Sequence, residues 1–136
     1  MFSIDHLGIA VKSLAQATQF YRGLGLEVLD EEIVPQEKVR VAMVPVGESR
    51  IELLEPTSED STIAKFLAKR GEGLHHVALH VDNLEATVER LKKNGTRLIS
   101  EDIKIGAGGH LYVFVHPSSA GGVLLELVQD EPLGVG

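Results

Sequence analysis

Two short segments of the chain repeat each other and carry the residues best suited to metal chemistry. Residues 4–11, Ile-Asp-His-Leu-Gly-Ile-Ala-Val, align with residues 74–81, Leu-His-His-Val-Ala-Leu-His-Val, so that His6 falls on His76. Later in each copy Glu52, in Ile-Glu-Leu-Leu, falls on Glu126, in Leu-Glu-Leu-Val, after four inserted residues. Each copy therefore supplies one imidazole and one carboxylate, which are ligands that divalent metal ions accept.

The strands that must carry these residues can be read from their alternation. Apolar and small or polar residues alternate over 4–11, which predicts a half-buried strand with His6 on the face that also carries Gly8 and Ala10. Glu52 and Glu126 each lie between apolar neighbours, and alternation sends them to the opposite face from those neighbours. A solvent-facing role is the alternative for either glutamate alone, but their match across a repeat favours ligation.

The remaining histidines and basic residues have less specific patterns. His75 lies on the other strand face from His76, so we expect a structural role, whereas His80 shares the face of His76 and is a candidate to line a cavity. An anionic ligand would need local cations, and the candidates are Lys38, Arg40, Lys104 and His110. Residues 106–109, Gly-Ala-Gly-Gly, form either an anion-binding loop or a flexible hairpin connection.

Composition restricts the class of protein. The chain has 136 residues, about the size of one domain, and its lack of cysteine excludes disulfides and thiolate metal sites. A net charge of −7 with two Tyr and four Phe argues against nucleic-acid binding. The sequence has neither a signal-peptide pattern nor an apolar run of about 18 residues, so we expect a cytoplasmic protein without membrane contact. Motifs for a serine or cysteine nucleophile and for dinucleotide binding are missing.

The first copy is predicted to form a βαβββ unit. A helix should follow the first strand, capped by Ser13 and ended by Gly23-Leu24-Gly25, with further strands over 26–33, 39–46 and 50–55. Residues 57–73 then form an ordered connector with a short helix, capped near Asp60 or Ser61, that buries Ile63, Phe66 and Leu67.

The second copy repeats this order. We predict a strand over 74–81, a helix over 84–93 capped by Asp82 or Asn83, and strands over 97–105, 111–115 and 123–128. Residues 106–109 and 116–122 lack strand character, and the tail after Asp130 should fray. The fold class is α+β.

Tandem βαβββ modules with a histidine on the first strand and a glutamate on the last resemble the vicinal oxygen chelate superfamily. That resemblance implies a cup-shaped mixed sheet around a metal site, in a single domain of residues 1–136 with modules at 1–56 and 74–130 and a connector at 57–73. Within the superfamily nearly the whole chain is similar to the methylmalonyl-CoA epimerase family. The similar segments are Ile-Asp-His-Leu-Gly-Ile-Ala-Val at 4–11, Ile-Glu-Leu-Leu-Glu-Pro at 51–56, Ser-Thr-Ile-Ala-Lys-Phe-Leu at 61–67, Gly-Leu-His-His-Val-Ala-Leu-His-Val-Asp-Asn at 73–83, Ile-Lys-Ile-Gly-Ala at 103–107 and His-Pro-Ser-Ser-Ala-Gly-Gly-Val-Leu-Leu-Glu-Leu at 116–127.

The resemblance implies a complete site and a reaction. Its metal ligands fall on His6, His76 and Glu126, and its fourth position, Gln or Glu, falls on Glu52. One divalent ion would be bound, cobalt first, with nickel, manganese or zinc as alternatives. The reaction implied is interconversion of the 2R and 2S epimers of methylmalonyl-CoA, a CoA thioester, by 1,1-proton transfer through a metal-stabilised enolate. A homodimer is also expected.

Epimerisation needs acid/base groups on both faces of the planar intermediate. Glu126 is the candidate for one. Where some family members have a glutamate for the other, this chain has Arg40, or Val41 if the gap is placed differently. Either Glu52, Glu37 or a water molecule supplies the second proton, or the two-glutamate scheme does not apply to this chain.

Two other functions fit the same fold. Glyoxalase I, a lactoylglutathione lyase, has a comparable His/Glu/His/Glu set, but it usually has an Asp-Pro-Asp-Gly-type turn before its last strand, where this chain has His-Pro-Ser-Ser-Ala-Gly-Gly. Non-catalytic drug-binding members sequester a cationic ligand in an acidic dimer and commonly lack the metal ligands. The presence of both histidines and both glutamates disfavours that second alternative.

Overall fold

The computed structural model describes residues 2–130, with only the backbone of residue 107. The chain divides into two compact units, one of residues 6–75 and the other of residues 2–5 together with 76–130. The predicted fraying after Asp130 concerns residues outside the described range. That the two modules form a single domain stays a prediction. No helix in the described part of the chain is long and apolar enough to cross a membrane.

The first unit has the predicted βαβββ order, followed by a connecting helix. Its elements are β1 (Ser3–Ala10), α1 (Leu14–Gly23), β2 (Glu32–Val34), β3 (Val39–Val46), β4 (Ser49–Pro56) and α2 (Thr62–Arg70). The strands lie side by side in the order β2-β3-β4-β1, in which β1 pairs with β4 in parallel and the other pairs are antiparallel.

The second unit repeats this arrangement. Its elements are β5 (Gly73–His80), α3 (Leu84–Lys93), β6 (Lys104–Ile105), β7 (Leu111–Val115) and β8 (Leu125–Gln129). The boundaries between the units fall within β1 and within β5, and each of these two strands is described with the unit that holds most of its residues. The strand order is β5-β8-β7-β6, with β5 parallel to β8 and antiparallel pairs elsewhere. The tandem βαβββ prediction and the α+β fold class are therefore confirmed.

The helices α1, α2 and α3 each follow a capping residue that the sequence predicted. The side chains of Ser13, Ser61 and Asn83 accept hydrogen bonds from the backbone N–H groups three residues ahead and so cap α1, α2 and α3. The predicted helix over 84–93 and the predicted strands over 39–46 and 111–115 have the observed bounds. In α2, Ile63 is buried, while Phe66 and Leu67 are only half-buried.

Each unit buries one face of its strands against its own helix. In the first unit Ala42, Val44 and Leu53 pack with Leu14 of α1, and in the second unit Val113, Val115 and Leu127 pack with Leu84 and Val88 of α3. We call these the helix faces. Side chains alternate along a strand, so the opposite faces carry His6 with Glu52 in one unit and His76 with Glu126 in the other. We call these the ligand faces.

Two predicted strands are mostly irregular. The segment 26–33 pairs as a strand only from Glu32, because Leu26 and Val28 pack into the α1 core and the Leu29 N–H makes a single hydrogen bond to the Met43 carbonyl (2.9 Å). The segment 97–105 pairs only at Lys104–Ile105, apart from an isolated bridge between Leu98 and Val115. Alternation therefore correctly indicated an extended backbone in these two segments. Their apolar side chains pack beside a helix, and most of their residues do not pair with a neighbouring strand.

Candidate metal centre

The first histidine and glutamate form a buried pair across neighbouring parallel strands. Glu52 on β4 pairs with Gly8 on β1, and His6 lies two residues before Gly8, so both side chains project from the same face. His6 Nε2 lies 3.4 Å from Glu52 Oε1, and the two residues are 1% and 7% exposed.

The second pair repeats this arrangement inside the other unit. Glu126 on β8 pairs with Ala78 on β5, two residues after His76. His76 Nε2 lies 3.0 Å from Glu126 Oε1, and both residues are buried. A solvent-facing role for the two glutamates is therefore wrong. A buried carboxylate needs a partner, and each glutamate has the histidine that the repeat assigned to it.

These four side chains have the donor chemistry of a metal site. They provide two imidazole nitrogens and two carboxylates, and such a set is able to hold a metal ion. Nitrogen and oxygen donors without thiolate suit zinc, cobalt, nickel, manganese or iron(II). A metal ion would also neutralise the two carboxylates, which burial otherwise penalises. The residues present therefore fit a divalent cation.

The other histidines singled out in the sequence have different partners. The ring of His75 packs edge-on against Phe66 of α2, with ring centroids 5.0 Å apart, in agreement with a structural role. His80 shares the ligand face, but its Nε2 lies 3.3 Å from Asp130 Oδ2, and its side chain is 25% exposed. It is therefore not part of the buried His–Glu pair of its unit.

Two of the candidate cations are held by carboxylates away from the ligand face. Lys38 Nζ lies 2.5 Å from Asp60 Oδ2, and hydrogen bonds from Lys38 and from the Ser58 hydroxyl lower the pKa of the Asp60 carboxyl to about 2. Arg40 on β3 pairs with Glu55 on β4, a residue of the helix face, and its guanidinium donates to that carboxylate at 3.2 Å. Neither side chain is placed to receive a ligand beside Glu52.

The register between β3 and β4 shows which residues of β3 share a face with Glu52. Val41 pairs with Leu54 and Met43 pairs with Glu52, so these apolar side chains share the ligand face, whereas Arg40 does not. Glu37 ends a turn at Pro35–Glu37, before β3 begins. Within the described first unit, no carboxylate of β3 therefore stands where some family members have a glutamate.

Two residues on the ligand faces escaped the sequence analysis. Arg50 pairs with His6 in the β1–β4 register and lies two residues before Glu52. Phe114 pairs with Glu126 across β7 and β8. Alternation along β4 would have identified Arg50, because it lies two residues before Glu52 and so shares its face. Phe114 could be placed beside Glu126 only from the register of β7 and β8, which are joined by a loop over residues 116–124.

The glycine loop resembles a hairpin connection more than an anion-binding loop. The Gly106 N–H donates to the His110 carbonyl at 2.8 Å, and the Gly109 N–H donates to the Gly106 carbonyl at 3.0 Å, so both amides are used within the turn. Gly106 also packs against an aromatic ring, since a Cβ there would lie 3.0 Å from two ring carbons of Tyr112.

Comparison with known proteins defines the class. Residues 5–114 match the family described as the Glyoxalase/Bleomycin resistance protein/Dioxygenase superfamily. The chain belongs to this superfamily, and the fold predicted from the sequence is the fold of that family.

Its relatives are more specific. The human protein named methylmalonyl-CoA epimerase, mitochondrial, is 44% identical over 128 residues, which is 93% of this chain and 73% of the relative. A Cereibacter sphaeroides protein named ethylmalonyl-CoA/methylmalonyl-CoA epimerase is 40% identical over 129 residues, 93% of this chain and 96% of the relative. A solved methylmalonyl-CoA epimerase variant of Streptomyces coelicolor, in complex with 2-nitronate-propionyl-CoA, is 38% identical with a TM-score of 0.90 and covers 96% of this chain and 98% of that one.

Proposed function

We propose that the protein is a metal-dependent methylmalonyl-CoA epimerase that interconverts the 2R and 2S epimers by 1,1-proton transfer. The observation that carries the proposal is the presence of two matched, buried His–Glu pairs in a chain 40–44% identical over 93% of its length to proteins named for this activity. The glyoxalase I and drug-binding alternatives have no comparable support, because these relatives are named as epimerases.

We propose that His6, Glu52, His76 and Glu126 together hold one divalent ion. All four are buried, and their nitrogen and oxygen atoms are donors of the kind such ions accept. The ion, when bound, supplies Lewis-acid stabilisation of the negative charge that develops on the thioester oxygen. Cobalt is the first candidate, and nickel, manganese and zinc are the others.

The two glutamates are proposed to move the protons. Glu126, in its ionised form, takes the α-proton from one face of the substrate, and Glu52, once it has taken up a proton from solvent, donates that proton to the opposite face, so that the configuration at the α-carbon inverts. Glu126 then returns its proton to solvent, and Glu52 takes up another. The α-carbon of the intermediate enolate is planar, so the face on which it receives a proton decides which epimer forms. Inversion therefore needs one acid/base group on each face. Running the same steps backward serves the other epimer.

Elimination of the other candidates supports Glu52. Val41 brings no ionisable group to the ligand face, Arg40 lies on the helix face, and Glu37 lies in a turn. Glu32 shares the ligand face through its pairing with Val41, but it is exposed and lies two strands from β4, a separation of about 10 Å at the usual strand spacing. Among these candidates, Glu52 is the buried carboxylate on the ligand face.

Arg50 is proposed to attract the anionic substrate. The protein carries a net charge of −7, which repels a CoA thioester unless a cation lies near the site. Arg50 pairs in register with His6 and shares the ligand face with Glu52, two residues along β4, a distance of about 7 Å. A guanidinium at that position can form a bidentate hydrogen bond with a substrate carboxylate or phosphate.

Exchange of the α-proton tests the function directly. Metal-loaded protein in deuterated water should incorporate deuterium at the α-carbon of methylmalonyl-CoA and convert pure 2S substrate into a mixture of epimers. Absence of exchange at high protein concentration would overturn the proposal. Formation of lactoylglutathione from the glutathione hemithioacetal of methylglyoxal would establish the glyoxalase alternative, and protein that binds no metal after loading and dialysis would favour the drug-binding alternative.

A cytoplasmic homodimer is proposed as the working state. Phe2, Ile4 and Leu74, on β1 and β5 or just before them, are 51% to 63% exposed, which is apolar surface that a partner subunit would cover. Sedimentation equilibrium of the purified protein should give twice the mass of the chain. A monomer at micromolar concentration would contradict the dimer and leave the catalytic proposal standing.

A further inference from the structure

We propose that Phe114 sets the size of the α-alkyl group that the site accepts, an inference that rests on the epimerase function proposed above. Phe114 pairs directly with Glu126, so its ring projects from the same face as the carboxylate proposed to move the α-proton. The residue is half-buried, which leaves part of an apolar ring open on the ligand face. We place the alkyl substituent of the reacting carbon against this ring.

Neighbouring rings on both sides fix the position of Phe114. Its ring meets the ring of His76 edge to face, with centroids 5.5 Å apart and planes at 89°. On the other side it meets Tyr112 in the same way, at 5.9 Å and 79°. Such edge-to-face contacts favour one orientation of each ring, so Phe114 cannot turn aside easily for a larger substituent.

Tyr112 is in turn held by the residues around it. It is 4% exposed and belongs to a buried cluster with Ala78 and Val128. The Gly106 backbone packs so closely against the Tyr112 ring that even a methyl group at residue 106 would lie 3.0 Å from two ring carbons. Phe114 therefore rests on a rigid support and acts as a fixed wall.

The chemistry of epimerisation allows a single wall to serve both epimers. In the enolate the α-carbon is planar and its alkyl group lies in the plane, while the protons leave and arrive perpendicular to that plane. The alkyl group therefore stays in the same place throughout the reaction. One extra methylene against a fixed apolar contact changes kcat/KM by roughly 10- to 200-fold.

The repeat indicates why this role falls to the second unit. The position equivalent to Phe114 in the first unit is Met43, which pairs with Glu52 as Phe114 pairs with Glu126. Methionine has a flexible side chain that adapts to the group placed beside it, whereas phenylalanine is rigid. The two ligand faces thus differ at the position next to the catalytic carboxylate, and Phe114 is the one that can discriminate by size.

The test compares two substrates in a variant with a smaller wall. Metal-loaded wild type and Phe114→Leu are assayed for α-proton exchange on methylmalonyl-CoA and ethylmalonyl-CoA, and the dissociation constants of both thioesters are measured by titration calorimetry. We expect the ratio of kcat/KM for ethylmalonyl-CoA over methylmalonyl-CoA to rise about tenfold in the variant, since one methylene is worth that much. The ratio of dissociation constants should move in the same direction.

Phe66→Leu is the matched control. Phe66 packs edge-on against His75 with nearly the same geometry, centroids 5.0 Å apart and planes at 87°, but His75 lies on the strand face opposite His76. The substrate ratio should not change in this control. If Phe114→Leu fails to fold, Phe114→Met, which is closer to phenylalanine in volume, is assayed with the same expectation.

Two results would overturn the inference. One is an unchanged substrate ratio in a folded Phe114 variant that keeps its metal. The other is an equal loss on both substrates together with a lower metal content, which would mean that Phe114 only supports His76. Failure of the proposed function would look different, because wild-type protein would then exchange the α-proton of neither substrate.

Discussion

Arg40 and Glu55 form an ion pair across β3 and β4 on the helix face of the first unit, with Nη1 3.2 Å from Oε1. Arg40 also lies 3.6 Å from Glu31 through its Nε atom. Val41, the next residue, pairs with Leu54 on the ligand face. The Arg40 guanidinium therefore lies on the opposite face of the sheet from the proposed metal ligands, and the neutral side chain of Val41 takes the position on the ligand face.

Arg50 and Arg40 form a matched pair of variants because they lie on opposite faces. Arg50→Gln should raise KM for methylmalonyl-CoA about tenfold or more, since a hydrogen bond to a charged group contributes about 1.5–3 kcal/mol. Arg40→Gln should leave KM within about twofold and lower the free energy of unfolding by no more than about 1 kcal/mol, as expected for a partly exposed ion pair. Exchange kinetics and urea denaturation measure both. Equal effects of the two variants on KM would contradict the assignment of faces.

Glu126→Gln and Glu52→Gln should each stop epimerisation, with a loss of at least about 100-fold in kcat. Each variant should still exchange the α-proton of one epimer with solvent, because the remaining glutamate serves one face of the substrate. The epimer that exchanges should differ between the two variants. Proton NMR of pure 2R and 2S substrate in deuterated water measures this, with metal content checked in both variants. If both variants failed to exchange the α-proton of the same epimer, the two glutamates could not serve opposite faces of the substrate.

Metal stoichiometry separates one shared site from two independent pairs. Wild-type protein should bind one divalent ion per chain, and His6→Ala or His76→Ala alone should each weaken that binding strongly, because a shared ion loses a ligand in either case. A metal concentration 100 times the dissociation constant should raise the free energy of unfolding of the wild type by about 2.7 kcal/mol. Two ions per chain, or one ion retained with full affinity in either variant, would exclude the shared site.

The Asp60 carboxyl gives the protein a specific acid sensitivity. Its pKa is about 2 in the folded chain, against 3.8 for an ordinary aspartate, because Lys38 and Ser58 donate hydrogen bonds to the ionised form. A lowered folded pKa means that this contribution to stability is fully present above about pH 4 and is lost as the pH falls toward 2. Asp60→Asn should therefore be less stable than wild type at pH 7, and the two urea midpoints should converge near pH 2. A constant difference between them across this range would contradict the assignment.

Much of the fold and the two His–Glu pairs followed from the sequence. The bounds of the helix over 84–93 and of the strands over 39–46 and 111–115 were predicted correctly, since each has a clear period and a capping or turn residue at its ends. Segments 26–31 and 97–103 were not, because their extended character did not show that they pair only at isolated points. The histidine and glutamate of each pair were identified because a repeat compares the chain with itself.

Within one strand the sequence by itself determined which residues share a face, since alternation depends only on the backbone of that strand. This placed His6 with Gly8, and it placed Glu52 and Glu126 opposite their apolar neighbours. Tertiary structure decided which residue of one strand stands beside which residue of the next. That register depends on turns and loops that join strands separated along the chain, and it alone put Val41 on the ligand face in place of Arg40, and Phe114 beside Glu126.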